Sequence, residues 1–215
     1  MIPDWACERR MMIETQLRRR GIDDARVLAA MAQIPREEFV PVEDRIASYA
    51  DEPVAIGYRQ TISQPFMTAL MAAELKLAGS ETVLEVGAGS GYAAAVLGAL
   101  AARVVSVELI PELAELARYN LRRTGRDANV EVIAADGSLG YPPLAPYDAI
   151  SVAAGAPTVP PALLAQLRDP GRLVIPVGGF DNQELRVIRR HGGQVESRVS
   201  TMCCFVPLRG GEGWA

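Results

Sequence analysis

The amino-acid sequence predicts an α/β fold: a doubly wound, mostly parallel sheet with an antiparallel C-terminal edge and an N-terminal helical cap. Three observations carry that expectation. Between residues 66 and 177, short apolar runs of strand length alternate with segments whose apolar residues recur at helical spacing, the pattern of parallel strands joined by helical crossovers. Beyond residue 170, strand-like runs follow one another with only turns between them, and strands joined that tightly pair antiparallel. Before residue 34 the helical spacing stands alone.

Residues 5–33 read as two helices interrupted at Gly21, with Arg18, Arg19 and Arg20 placed where cations suit a helix C-terminus. Residues 35–65 carry Pro35, Pro41, Pro53 and Pro65 and little periodicity; a connection that long is expected to be a lid or binding loop. A helix over 66–76, a strand Thr82–Val86, a helix over 91–101, a strand Arg103–Glu108, a helix over 111–123 and a strand over 129–134 follow by the same periodicities. Then come a strand Tyr147–Val152, a helix over 160–168, and strands over 171–177, 184–190 and roughly 197–207. No internal repeat or low-complexity tract is visible.

Composition narrows the function classes. Against 22 Lys and Arg stand 26 Asp and Glu, a net charge of −4, whereas a large nucleic-acid footprint needs a basic face, so no nucleic-acid partner is expected. Cys7, Cys203 and Cys204 form neither an even disulfide framework nor a CxxC pair for zinc, which points to a reducing compartment and no metal. The longest apolar stretch, residues 93–102, is half a membrane span and includes Gly98, and Asp4, Glu8, Arg9 and Arg10 stand where an export signal would need an apolar run. The expectation is a cytoplasmic protein without membrane contact, monomeric, and long enough at 215 residues to build a core without cross-links.

The strongest local signal is Val83-Leu84-Glu85-Val86-Gly87-Ala88-Gly89-Ser90-Gly91, an apolar strand turning through three glycines into a helix. Glycines there let the chain bend sharply and a ligand approach the backbone, and the helix N-terminus offers free N–H groups to an anionic end. Spacing discriminates among ligands. A dinucleotide fingerprint places its third glycine five positions after the first, whereas Gly87, Gly89 and Gly91 fall at intervals of two behind the acid Glu85. The alternative reading is a glycine turn kept for tight strand-to-helix packing. Glu108 closes the next strand, where a carboxylate can accept both ribose hydroxyls of a nucleoside lying across the switch point, and Asp136 with Gly137 closes the third. Each acid alone is commonly a solvated strand end; three successive strand ends with suitable groups favour a nucleoside site.

The Glu-x-Gly-x-Gly-x-Gly form resembles the first motif of S-adenosylmethionine-dependent methyltransferases, a class with a Rossmann-like fold. More specifically, Ile56-Gly57-Tyr58-Arg59-Gln60-Thr61-Ile62-Ser63-Gln64-Pro65 closely resembles the signature of protein-L-isoaspartate O-methyltransferases. The likeness runs over nearly the whole chain, through Phe39-Val40-Pro41, Gly89-Ser90-Gly91-Tyr92, Asp136-Gly137, residues 145–150 and 171–178, Phe205-Val206-Pro207-Leu208 and Gly213-Trp214. It implies one methyltransferase domain over residues 1–215, with 1–65 as helical cap and substrate and cofactor loop and 66–215 as Rossmann-like core.

The resemblance also implies a cofactor, S-adenosyl-L-methionine, which leaves as S-adenosyl-L-homocysteine, and L-isoaspartyl proteins and peptides as partners. The free α-carboxylate of the rerouted residue is methylated, and collapse of the ester to a succinimide begins repair. Carried over residue by residue, the resemblance assigns the cofactor to Gln60, Thr61, Ile62, Ser63, Glu85, Gly87, Gly89, Gly91, Glu108, Leu109, Asp136 and Gly137, with Asp136 facing the adenine amine and Gly137 leaving room for the ring. It assigns the methyl acceptor to Ile56, Ser63, Ala153, Ala154, Gly155, Val206 and Pro207. Arg59 stands where bacterial members often carry glycine, which bears on substrate preference.

Such chemistry requires no general base, because a carboxylate with an ordinary pKa near 4 is already the nucleophile at neutral pH. Catalysis is then alignment and exclusion of water. Ser63 is the candidate catalytic residue, since a hydroxyl can hold a carboxylate without being deprotonated; its alternative role is capping the helix that begins near Pro65. The lone histidine, His191, lies in an Arg189-Arg190-His191-Gly192-Gly193 turn and reads as a surface residue. Tyr141-Pro142-Pro143 suggests a nucleic-acid amino-methyltransferase only superficially, because it precedes its strand. The competing enzyme reading is a dedicated peptide or small-molecule carboxyl O-methyltransferase on the same scaffold. A non-enzymatic adaptor would need a further domain for its partner.

Overall fold

The computed structural model describes residues 3–214. Helix α1 (Trp5–Met12) starts where the Asp4 carboxylate accepts from the amides of Ala6 and Cys7, each at 3.1 Å, and the same rod runs on through a wider turn (Ile13–Leu17) and a tighter one (Arg18–Arg20). Gly21 ends it at φ +86°, so the interruption falls where the sequence places it. Asp24 caps α2 (Ala25–Gln33) in the same way as Asp4 caps α1.

The segment expected to be a lid or binding loop carries secondary structure of its own. Two short 3₁₀ turns, Arg36–Phe39 and Val42–Ala47, lead into a hairpin of β1 (Val54–Gly57) and β2 (Gln60–Ile62), paired antiparallel through Val54 and Ile62. Its tip places Tyr58 and Arg59 at φ +52° and +58°. That is the conformation Asn-Gly pairs normally adopt, so no turn signature announced it. Pro65 opens α3 (Pro65–Leu75), one residue before the expected start, because a proline suits the first helical position.

Seven strands form the main sheet: β3 (Thr82–Val86), β4 (Arg103–Glu108), β5 (Val130–Ala134), β6 (Tyr147–Val152), β7 (Leu167–Gly178), β8 (Gln183–His191) and β9 (Gln194–Cys203). Their order is β5-β4-β3-β6-β7-β8-β9. The pairs from β5 to β7 are parallel, and β7-β8-β9 are antiparallel. From β3 the chain winds outward through α4 (Tyr92–Gly98), β4 and α5 (Pro111–Arg123) to β5, then returns to the other side at β6. The crevice beyond the carboxyl ends of β3 and β6 is therefore the switch point where such sheets bind ligands.

One face of the sheet packs Val83, Val104, Ala149 and Val174 against α3, α4, α5 and the N-terminal helices. The other packs Leu84, Val105, Ile150 and Leu173 against α6 (Pro161–Gln166) and the C-terminal segment. Several boundaries differ from expectation; α4, for example, stops at Gly98 where a helix to 101 is expected. Helix α6 stops at Gln166, and Leu167, expected to be helical, begins β7. Strand β9 ends at Cys203, after which residues 205–208 leave the sheet edge. Asn129 is not in β5; its side-chain amide donates to the carbonyls of Gly98 and Ala101 at 2.9 and 3.0 Å, closing the end of α4. Among the described residues no helix is long and apolar enough to cross a membrane, and no group of three or more His, Cys, Asp or Glu could hold a metal ion. Cys7, Cys203 and Cys204 are free thiols.

Candidate active site

A cavity of about 530 Å³ opens at that switch point, within the size range of small-molecule sites. Five loops and the C-terminal segment converge on it. The hairpin contributes Tyr58 to Ser63, the glycine loop Gly87 to Ser90, the turn after β4 Glu108 to Ile110, the turn after β5 Gly137, the turn after β6 Ala153 and Ala154, and the last segment Val206 to Arg209. Each of β3, β4, β5 and β6 thus delivers its C-terminal turn to one place, as the topology requires.

Of the residues expected to hold the cofactor, Gln60, Thr61, Ile62, Ser63, Gly87, Gly89, Glu108, Leu109 and Gly137 line the cavity. Glu108 is buried and ties the site together: one carboxylate oxygen accepts from the Gly89 amide at 2.9 Å and the other from the Ile110 amide at 3.0 Å. Gly137 lies so close to β3 that a Cβ would stand 2.6 Å from a Val86 methyl, so no larger residue fits beside the cavity there.

Three expected cofactor residues are placed elsewhere. Gly91 turns toward α5, with the Ala117 carbonyl 3.1 Å from where its Cβ would be, which is the packing role left open above. Asp136 faces the C-terminal segment and does not line the cavity: its carboxylate accepts from the Ser138 amide (2.9 Å), the Ser138 hydroxyl (2.6 Å) and the Gly211 amide (2.7 Å). Partial burial opposes ionisation, but these hydrogen bonds hold the carboxyl below the ordinary aspartate range. Glu85 is buried beneath the cavity floor, where it accepts from the Ser106 hydroxyl and leaves Oε1 without a partner. Burial pushes its pKa up to about 8, against the Ser106 hydrogen bond and assisted by the charge of Glu108.

On the acceptor side, Ser63, Ala153, Ala154, Val206 and Pro207 line the cavity. Ile56 is buried behind it, its Cδ1 3.2 Å from where a Gly89 Cβ would stand. Gly155 faces away from the cavity and clasps the last segment: its amide donates to the Val206 carbonyl (2.8 Å), and its carbonyl accepts from the Leu208 amide (2.8 Å) and the Trp214 indole (2.9 Å). The capping alternative for Ser63 does not hold, because the first free amide of α3, that of Phe66, donates to Asp51 at 3.2 Å while the Ser63 hydroxyl bonds to no described residue. His191 sits at the exposed turn between β8 and β9, outside the cavity.

Sequence reasoning missed several walls, among them Thr68, Val107, Ile110 and Arg209. Tyr92, which the sequence marks only as the end of the Gly89-Ser90-Gly91-Tyr92 motif, is buried with the Arg36 guanidinium 4.9 Å over its ring, an arrangement that stiffens the wall between cap and cavity. The arrangement as a whole can hold a nucleoside at Glu108, approach it closely along the glycine loop, and present a free hydroxyl and small side chains to an acceptor entering beside the hairpin.

Comparison with known proteins agrees with this geometry. The sequence profile described as protein-L-isoaspartate(D-aspartate) O-methyltransferase matches residues 8–213. A protein-L-isoaspartate O-methyltransferase 2 of Marinobacter nauticus is 55% identical over 208 residues, spanning 96% of this chain and 94% of that protein. A solved structure of a protein-L-isoaspartate O-methyltransferase superposes with TM-score 0.82 at 29% identity, covering 95% of this chain; this chain spans 66% of that one. A protein-L-isoaspartate O-methyltransferase from Plasmodium falciparum in complex with S-adenosyl-L-homocysteine superposes with TM-score 0.79 at 27% identity, covering 97% of this chain and 99% of that one. With the fold, the switch-point cavity and these likenesses in agreement, the chain belongs to the protein-L-isoaspartate(D-aspartate) O-methyltransferase family.

Proposed function

We propose that this chain transfers the methyl group of S-adenosyl-L-methionine to the free α-carboxylate of L-isoaspartyl residues in damaged proteins and peptides, initiating their repair. The observation that carries the reading is the meeting of the Gln60–Ile62 strand and Ser63 with the glycine loop and Glu108 around one cavity. The cofactor fits the residues present: a buried carboxylate for the ribose hydroxyls at Glu108, a glycine at 137 where a side chain would collide, and backbone of Gly87 to Ser90 open to close approach. When bound, it supplies a methyl group activated by an adjacent sulfonium.

The protein's own work is positional. Ser63, with its hydroxyl uncommitted, donates a hydrogen bond to the acceptor carboxylate and fixes its direction. Ala153 and Ala154 leave room for the rerouted backbone, and Val206 and Pro207 cover it with apolar surface that displaces water from the anion. Asp136 and Gly155 hold the last segment in place and so shape the acceptor side. The reading extends to a single methyltransferase domain over residues 1–215, acting as a monomer in the cytoplasm. Its test is chemical: a peptide with one L-isoaspartyl residue should be methylated and then pass through succinimide to aspartyl peptide, followed by mass spectrometry and chromatography, and recovery of unmodified peptide would overturn it.

A further inference from the structure

Beneath the main cavity lies a far smaller one, of about 20 Å³, between α3, α4, β3 and β6. The two share Ser63, Thr68, Ala93 and Ala153 as common walls. A buried water needs roughly 10–15 Å³ and two to four polar partners. Three groups on these walls meet that need: Glu85 Oε1 is buried without a hydrogen bond, and the Ser63 and Ser151 hydroxyls bond to no described residue. A polar atom left in that condition is costly, so these groups call for a shared partner.

We propose that the small cavity is a single-water site through which Glu85 positions the Ser63 hydroxyl, making Glu85 a positioning residue for the methyl acceptor and not a cofactor contact. The proposal rests on the reading of Ser63 as the acceptor's hydrogen-bond donor. Hydrogen-bond direction supports it. The Ser106 hydroxyl donates to Glu85 Oε2, and at neutral pH burial keeps the carboxyl protonated, so its proton belongs on Oε1, the oxygen without a partner on a residue that lines the cavity. A water that accepts a hydrogen bond from this O–H donates one to Ser63 Oγ, leaving the Ser63 O–H to donate upward to an anion. Every link is then polarised toward the acceptor carboxylate. An ionised Glu85 would instead set a second negative charge behind the hydroxyl. The walls supplied by α3, α4 and β6 carry no charged side chain, and the neighbouring carboxylate is Glu108 on β4.

The test uses the full chain, an L-isoaspartyl peptide and calorimetry with S-adenosyl-L-homocysteine. Glu85→Leu should lower kcat about tenfold to a hundredfold, as loss of acceptor alignment does, with affinity for S-adenosyl-L-homocysteine held within about threefold. Glu85→Gln, whose amide donates from the same place, should restore most of kcat and abolish a fall in kcat/KM that the wild type shows above about pH 8. In a Ser63→Ala background, Glu85→Leu should add less than about twofold, since the two act through one hydroxyl. Independent, multiplying losses in the double variant would overturn the proposal, as would loss of S-adenosyl-L-homocysteine affinity in parallel with kcat. Failure of the wild type to methylate the peptide would instead refute the function proposed above.

Discussion

Replacing Glu85 by glutamine should make the fold resist rising pH better than the wild type does. Glu85 is 1% exposed, and its pKa of about 8 in the folded protein stands against an ordinary 4.5 in the unfolded chain. Between those values the folded state holds a proton that the unfolded state has released, so stability falls as pH rises. The contribution is whole below the unfolded pKa and is lost by the time pH passes the folded one. The interval is about 3.5 pH units at about 1.4 kcal/mol each, an upper bound on the order of 5 kcal/mol. Glutamine keeps the shape and the Ser106 hydrogen bond but has no proton to lose. Equilibrium urea unfolding of both proteins from about pH 5 to about pH 8.5 reads the difference directly, and the depressed carboxyls of Glu81 and Asp136 cancel between them. The variant should gain on the wild type steadily across this range and level off above about pH 8. A difference that stays constant with pH would refute the assignment of a neutral buried carboxyl.

Other expectations concern the main cavity. Glu108→Ala should weaken S-adenosylmethionine binding roughly tenfold to several hundredfold, because charge-assisted hydrogen bonds contribute about 1.5–3 kcal/mol each, and unchanged affinity by calorimetry would displace the nucleoside from β4. Ser63→Ala should cut turnover while leaving cofactor affinity and Tm nearly unaltered, whereas Asp51→Ala, which removes the cap on the Phe66 amide, should cost about 1 kcal/mol in thermal unfolding; a stability loss at Ser63 instead would return it to a structural role. Gly137→Ala should destabilise by about 1–3 kcal/mol, since its methyl would meet Val86, and a neutral effect in denaturant unfolding would show that β3 yields easily.

What could be read from the sequence follows from how local each signal is. Strands β3 and β4 are legible because both faces are buried, so Val83 to Val86 and Val104 to Val107 form apolar runs broken only by Glu85 and Ser106, and their ends locate Glu108 and the glycine loop without tertiary information. The hairpin was invisible because its strands are short and its tip places Tyr58 and Arg59 in left-handed conformations without glycine or asparagine. The clasp of residues 205–214 was equally hidden: it is held by hydrogen bonds to Gly155, Asp136 and Ser138, residues 50 to 75 positions away, which no periodicity records. Glu85 stands beside the glycines in the motif, yet side chains alternate along a strand, and Glu85 points with Val83 toward α3 and α4 while Val86 reaches the main cavity. Asp136 shows the same limit from the other side, since a strand-end acid can turn to a ligand or to its own chain.

The most direct test of the proposed reaction compares two peptides identical except that one carries L-isoaspartate where the other carries L-aspartate. Charge and basicity of the two carboxylates barely differ, so the acceptor site proposed above, with Ser63, two alanines and the Val206–Pro207 wall, would select only by geometry. A displacement of about 1 Å can cost about a hundredfold in rate, and kcat/KM for the L-isoaspartyl peptide should exceed that for its twin by at least that factor, with a flat profile from about pH 6 to pH 7.5 because the acceptor does not titrate there. Equal methylation of both peptides would contradict the assignment of L-isoaspartyl residues as the methyl acceptor.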